Sequence, residues 1–398
     1  MIFGQDPSYF AARGATATAR EIAQQGDCWR QIPALLAATD PVLKAKLRDA
    51  LHDATATIAY SGAGTSAYVG DILAAAIQRV SRAHNIATAS TDLVAQPADK
   101  LAHNAHGFLF SFARSGNSPE SVASLEKAAA VAPRLAPVAV VCNAHSSLAD
   151  YSGKHGHICL MPPETHDESF VMTSSFSTMT LYTLGLCYES LDLPLPDYTA
   201  LAAAQQHTSD TYYTSPALNT LAAAKRIIYL GSGPLYGAAR ESALKILEMT
   251  GGKIPTMSET SLGFRHGPKS LIDGSTAVCL YAANDPYTQQ YDRDLAWELL
   301  ADGHAASIHL YGPASYFRRY PELATSGAHI TAFDAALDNQ PDAALAPLFR
   351  FGIEPDAIVC EEAQSVIAPF FLGANGKRFR VFAGITSWPK LFDLSDGT

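Results

Sequence analysis

Apolar and polar positions alternate along this chain in a way that predicts the same arrangement twice. Residues 57–60, 107–113, 137–143 and 157–161 are short apolar runs, and each leads into a stretch with helical character. Residues 276–281, 306–311 and 329–333 repeat the pattern, with a helix expected over 294–300. Apolar strands alternating with helices predict an open, mostly parallel sheet covered on both faces.

The repetition is visible in the residues themselves. Ile58-Ala59-Tyr60-Ser61-Gly62-Ala63-Gly64 aligns without gaps on Ile227-Ile228-Tyr229-Leu230-Gly231-Ser232-Gly233, and each continues into a helix. The chain therefore holds two copies of one α/β unit. Ahead of them, residues 1–54 read as an N-terminal helical segment. Thr18 and Glu21 have capping-box spacing, and Ile22, Trp29, Ile32, Leu35 and Leu36 form a loose apolar stripe. This segment is expected to be a collar without chemistry, with Trp29 as a packing anchor. Prolines at 194 and 196 mark a linker, which divides the chain into 1–54, 55–195 and 196–398. A terminal helix is expected over 357–371, followed by an extended tail from 373.

Two glycine turns carry the first chemical signal. After the strand at 57–60 come Ser61, Gly62, Ala63, Gly64, Thr65 and Ser66, and after that at 107–113 come Arg114, Ser115, Gly116, Asn117, Ser118 and Pro119. Glycines let the backbone approach a ligand, and a helix N-terminus supplies unpaired N–H groups to an anion. Ser118 and Pro119 also suit an N-cap and a first helical turn. Two hydroxyl-lined helix starts on neighbouring parallel strands aim at one crevice. The matching turn of the second copy offers only Ser232, Pro234 and Leu235, so the first copy is expected to grip a phosphate.

The second copy carries the titratable groups. Glu241, Lys245 and Glu248 share one helix face, opposite Ala243, Leu244 and Leu247, and Gly251 and Gly252 end the helix. By default such a stripe is a solvated face. Here it is followed by a loop in which His266 stands between Arg265 and Gly267, and a carboxylate with an imidazole suits proton transfer beside a carbonyl.

Composition narrows the partners. With 398 residues and 48% apolar content there is material for two cores, and no run of eighteen apolar residues predicts a membrane span. The first residues lack the pattern of a secretory leader. Six cysteines stand apart without metal-ligand spacing, so reduced thiols, a cytoplasmic location, no metal and no cofactor are expected. A net charge of −10 argues against nucleic acid but leaves room for a small anion held by N–H groups and hydroxyls.

Taken together, Gly62 to Ser66, Arg114 to Ser118, Pro163 to Asp167 with Met172 to Ser175, Glu241 to Lys245 and His266 to Lys269 resemble the sugar isomerase (SIS) family over roughly residues 20–370. Within it they resemble the AgaS type, whose activities are tagatose-6-phosphate ketose/aldose isomerase and galactosamine-6-phosphate deaminase. The resemblance implies two tandem SIS subdomains of α/β class, each a flavodoxin-like, doubly wound parallel sheet. It also implies phosphate contacts from Ser66, Ser115 and Ser118, with the backbone around Gly64, Thr65, Gly116 and Asn117, and sugar contacts near Thr173 and Ser174. Glu248 takes the place of the proton-transfer base and His266 that of the ring-opening residue. Related domains draw this histidine from a neighbouring subunit, so a homodimer or higher homo-oligomer with shared sites is implied. Glu241 and Lys245 stand as second-shell candidates that orient Glu248 or pair with each other. The glucosamine-6-phosphate synthase branch uses a lysine near its chain end, where Arg380 to Thr386 here contains Ala383.

The activity expected is conversion of galactosamine 6-phosphate to tagatose 6-phosphate and ammonia, with imine hydrolysis as its closing step. Alternatives are plain ketose/aldose isomerisation of a hexose 6-phosphate and a non-catalytic sugar-phosphate sensor.

Overall fold

The computed structural model describes residues 2–12, 14–212 and 215–333. The expected helix over 357–371, the tail and Ala383 lie outside the described residues. Helix α1 (Thr16–Ala23) belongs to the N-terminal collar. The first unit follows with β1 (Thr57–Gly62), α2 (Thr65–Gln78), β2 (His84–Ala89), α3 (Ser90–Ala95), β3 (His106–Ala113), α4 (Pro119–Val131), β4 (Arg134–Val141), β5 (His157–Leu160) and α5 (Ser174–Ser190). The second contains β6 (Arg226–Gly231), α6 (Pro234–Met249), β7 (Thr256–Glu259), α7 (Ser261–Phe264), β8 (Thr276–Tyr281), α8 (Thr288–Asp302), β9 (Ser307–Pro313) and β10 (His329–Phe333).

Each unit is a five-stranded parallel sheet. The orders are β2-β1-β3-β4-β5 and β10-β9-β8-β6-β7, which are the same order, 2-1-3-4-5, when each unit is counted from its own first strand. The central strands are buried along most of their length because helices cover both faces; all six residues of β8 are inaccessible. Hydrophobicity locates such strands well. It passes over β2 and β7, the second strand of each copy, which take edge positions and are only half-covered. The segment expected to be loop after Gly252 therefore includes a short strand.

Helices α2 and α6 pack on each other between the two sheets, so one apolar cluster runs from Ile58, Tyr60 and Ile72 through Ala238 and Ile246 to Tyr229 and Tyr281. Close approach is possible because Gly237 of α6 lies on Ile72, where a Cβ would sit 2.6 Å from Cγ1 and 3.0 Å from the backbone nitrogen. Helix α5 is apolar or small on every side and buried along nearly its whole length, as a helix surrounded by protein must be. Trp29 of the collar is fully buried against it and donates its indole N–H to Ser177 Oγ at 3.0 Å. No described helix is long and apolar enough to cross a membrane.

The capping-box expectation for Thr18 and Glu21 does not hold. Helix α1 begins at Thr16, and Glu21 is buried, accepting the backbone N–H of Glu168 at 2.6 Å and of Ser169 at 3.2 Å. Tertiary pairing uses the carboxylate that a cap would have needed. The collar thus fixes the segment leading into α5.

Because both the branched side chain and the backbone of Ile72 oppose a Cβ at position 237, Gly237→Val should destabilise the chain by about 1–3 kcal/mol. Denaturant unfolding would show this as a lower midpoint, and an unchanged midpoint would mean that the α2–α6 contact yields easily.

Candidate active site

The two glycine turns leave the C-terminal ends of β1 and β3, which are hydrogen-bonded neighbours with Ser61 beside Ser111. This is where the strand order reverses, the place where open α/β sheets form a crevice. In the first turn Gly64 takes φ 56°, ψ −127°, a conformation open to glycine. In the second, Gly116 has φ +63°, and a Cβ there would lie 2.5 Å from Ser146 Oγ. A cavity of about 330 Å³ results.

Gly64, Thr65, Ser66, Ser115, Gly116 and Ser118 all line this cavity, and so does Glu248 from the other unit. Ser118 occupies the N-cap position of α4 but makes no capping bond; its hydroxyl pairs with Ser121 Oγ at 2.6 Å instead. Asn117 is turned away and accepts the Ser147 N–H at 2.9 Å, which braces the turn from behind.

Glu248 reaches the cavity through a buried charge cluster. The stripe of Glu241, Lys245 and Glu248 is not a solvated face: Glu241 and Lys245 are fully buried, while Leu247 on the side expected to be covered is 37% exposed. The reversal follows from packing, because the polar side of α6 lies against α2. Lys245 Nζ donates to Thr65 Oγ1 at 2.8 Å and to Glu248, and stands 3.2 Å from Glu241 Oε1. Burial alone would lower the Lys245 pKa, but Glu241 and Glu248 outweigh it and raise it, so the ammonium stays charged. Burial pushes Glu241 up to about 7 against the pull of Lys245. The Glu248 side chain remains 24% exposed at the cavity wall.

Thr173 and Ser174 stand elsewhere. Both are fully buried at the start of α5, bonded to Asp167: its carboxylate accepts the Thr173 N–H at 2.8 Å, the Ser174 hydroxyl and the Ser175 N–H at 3.0 Å. An acidic group at a helix N-terminus is favourable, and here it consumes the hydroxyls expected near the sugar. The cavity wall on that side is formed by Phe170 and Met172.

His266 is exposed and does not line the cavity. Its turn is pinned to α8 on both flanks, by Arg265 to Glu298 at 2.8 Å and by Lys269 to Glu298 and Asp302. Arg265 and Lys269 are thus engaged in holding the turn.

Arg114 is the residue that sequence reasoning passed over. It is the single basic residue among the described residues that line the cavity, and its Nη1 donates to the Ser169 carbonyl at 2.7 Å. Its place directly before Ser115 was the available signal.

Comparison with known proteins accords with the two-sheet fold. The SIS domain model matches residues 50–186 and 220–310, one span for each sheet. The chain belongs to the SIS domain family. Among SIS relatives, D-galactosamine-6-phosphate deaminase AgaS of Shewanella sp. (strain ANA-3) is 40% identical over 300 residues, covering 74% of this chain and 76% of the relative. The protein of the same name from Escherichia coli O157:H7 is 38% identical over 323 residues, covering 80% and 83%. The crystal structure of tagatose-6-phosphate ketose/aldose isomerase from Escherichia coli superposes on this SIS chain with a TM-score of 0.75 and 34% identity, covering 87% of this chain and 92% of the other.

The Glu241 carboxyl binds its proton more tightly folded than unfolded, so its contribution to stability is greatest below about pH 4.5 and declines as pH rises toward 7. Glu241→Gln should remove that decline. Relative to the variant, the parent should lose up to roughly 3 kcal/mol of unfolding free energy between pH 5 and 8. Parallel pH curves for the two proteins would contradict the assignment.

Proposed function

We propose that the chain is an amino-sugar 6-phosphate deaminase and isomerase, turning galactosamine 6-phosphate into tagatose 6-phosphate and ammonia. The observation that carries this reading is that Glu248 of the second unit lines the same cavity as Ser66, Ser115 and Ser118 of the first. A phosphate held by those hydroxyls, the turn N–H groups and Arg114 leaves the far end of a six-carbon chain toward the carboxylate. The names of the 38–40% identical relatives support the substrate class.

In this mechanism His266, supplied by a neighbouring subunit, moves the proton that opens the pyranose. Glu248 then removes the C2 proton to give the 1,2-enolamine and returns a proton to C1, leaving an imine at C2. Water adds at C2, ammonia departs and the ketose remains. Hydrolase is not the class of this reaction, because water enters only after the aldose–ketose rearrangement. Thr65, Lys245 and Glu241 hold the base. A soluble cytoplasmic homodimer with shared sites is part of the proposal, since His266 stands outside its own chain's cavity.

Glu248→Gln should lower turnover by ~10²–10⁴ while leaving sugar-phosphate binding nearly intact. Near-parental turnover in a coupled ammonia assay would refute the role. Arg114→Gln should weaken binding by about 10-fold or more, the worth of one charge-assisted hydrogen bond. That effect belongs in KM, and an effect confined to kcat would place Arg114 elsewhere in the mechanism.

The structural neighbour's name favours a second reading, ketose/aldose isomerisation without loss of an amine. Ammonia release from galactosamine 6-phosphate, set beside isomerisation of tagatose 6-phosphate, separates the two.

A further inference from the structure

The second unit repeats the glycine turn that opens the crevice of the first. Its glycine turn has the same backbone: Gly233 takes φ 61°, ψ −128° at the start of α6, as Gly64 does at the start of α2. One constant displacement along the chain carries Gly62 to Gly231, Ser111 to Leu280, and Pro119 at the head of α4 to Thr288 at the head of α8. Under it Ala63 becomes Ser232, Arg114 becomes Ala283, and Ala123 becomes Asp292.

That last exchange places a carboxylate in the crevice. Asp292 is fully buried, and its carboxylate accepts the backbone N–H of Ala283 at 2.8 Å and the hydroxyl of Ser261, with the Ser232 hydroxyl also bonded to it. These donors come from the ends of β8, β7 and β6, the three loops whose counterparts surround the cavity of the first unit. They form the kind of set that holds an external anion at such a switch point. The first-unit residue that the same displacement carries to Glu248 is Arg79, which stands beside the Gly233 turn, so a cation takes the place that the carboxylate holds at the first crevice.

We infer that Asp292 is a built-in anion that occupies the second crevice, leaving each chain one sugar-phosphate site and turning the duplicate into a structural lock. The comparison rests on reading the first crevice as the phosphate site, whereas the role of Asp292 does not depend on which reaction occurs there.

The test uses the full chain with inorganic phosphate as probe, read by calorimetric stoichiometry and thermal unfolding. The parent should bind one phosphate per chain. Asp292→Ala, which removes the carboxylate and keeps its donors, should lower the unfolding temperature, bind a second phosphate and recover part of the lost temperature in a phosphate-dependent way. Its turnover in saturating sugar phosphate should remain within about threefold of the parent. Asp292→Asn, which fills the space with an amide, should lose stability without gaining a site. Two phosphates bound by the parent, or an Asp292→Ala protein with no added site, would overturn the inference. Should that variant fail to fold, Asp292→Ser read in the same way decides the question. If the parent binds no phosphate while Asp292→Ala binds one, the reading of the first crevice fails and the lock stands.

Discussion

A single ammonium group, buried where the two halves meet, organises this molecule. Lys245 belongs to the second unit, yet one of its hydrogen bonds goes to Thr65 at the head of the helix that follows the first glycine turn. Another goes to Glu248 on its own helix, and Glu241 of the same helix forms an ion pair with it at 3.2 Å. A fully buried cation of this kind persists only if nearby negative charge compensates its lost hydration. Two glutamates do so, and the geometry that satisfies the charge also sets Glu248 at the cavity wall. Charge compensation and placement of the candidate base are therefore one arrangement.

Duplication gave the chain two sheets of identical order and two glycine turns of nearly identical backbone angles. Chemistry has since been divided between them. The first keeps hydroxyls, an arginine and an open cavity, while the second lends the helix that carries Glu248 and fills its own crevice from within. The collar completes the division by tying the segment before α5 through Glu21, so that Phe170 and Met172 form one wall.

Much of this was legible in the sequence because central parallel strands, buried on both faces, read as continuous apolar runs. The glycine turns were legible for a related reason, since Gly64 needs a conformation that other residues avoid. The edge strands β2 and β7 were not, because their polar residues break any apolar run, whereas the edge strands β5 and β10 keep one. The burial of the polar stripe on α6 was not legible either: periodicity shows that Glu241, Lys245 and Glu248 share a face but not whether that face meets water or another helix. Glu21 likewise fitted a local cap by spacing and serves a partner nearly 150 residues away. Thr173 and Ser174 were placed by resemblance near the sugar, and only the folded chain reveals that Asp167 engages them.

The Lys245–Thr65 bridge ties the first glycine turn to the helix face that carries Glu248, the proposed base. A double-mutant cycle of Thr65→Val and Lys245→Met, read as ammonia-releasing turnover of galactosamine 6-phosphate, tests it most directly. The account predicts a coupling energy of about 1 kcal/mol or more between the two positions. Effects that add to within about 0.5 kcal/mol would contradict it.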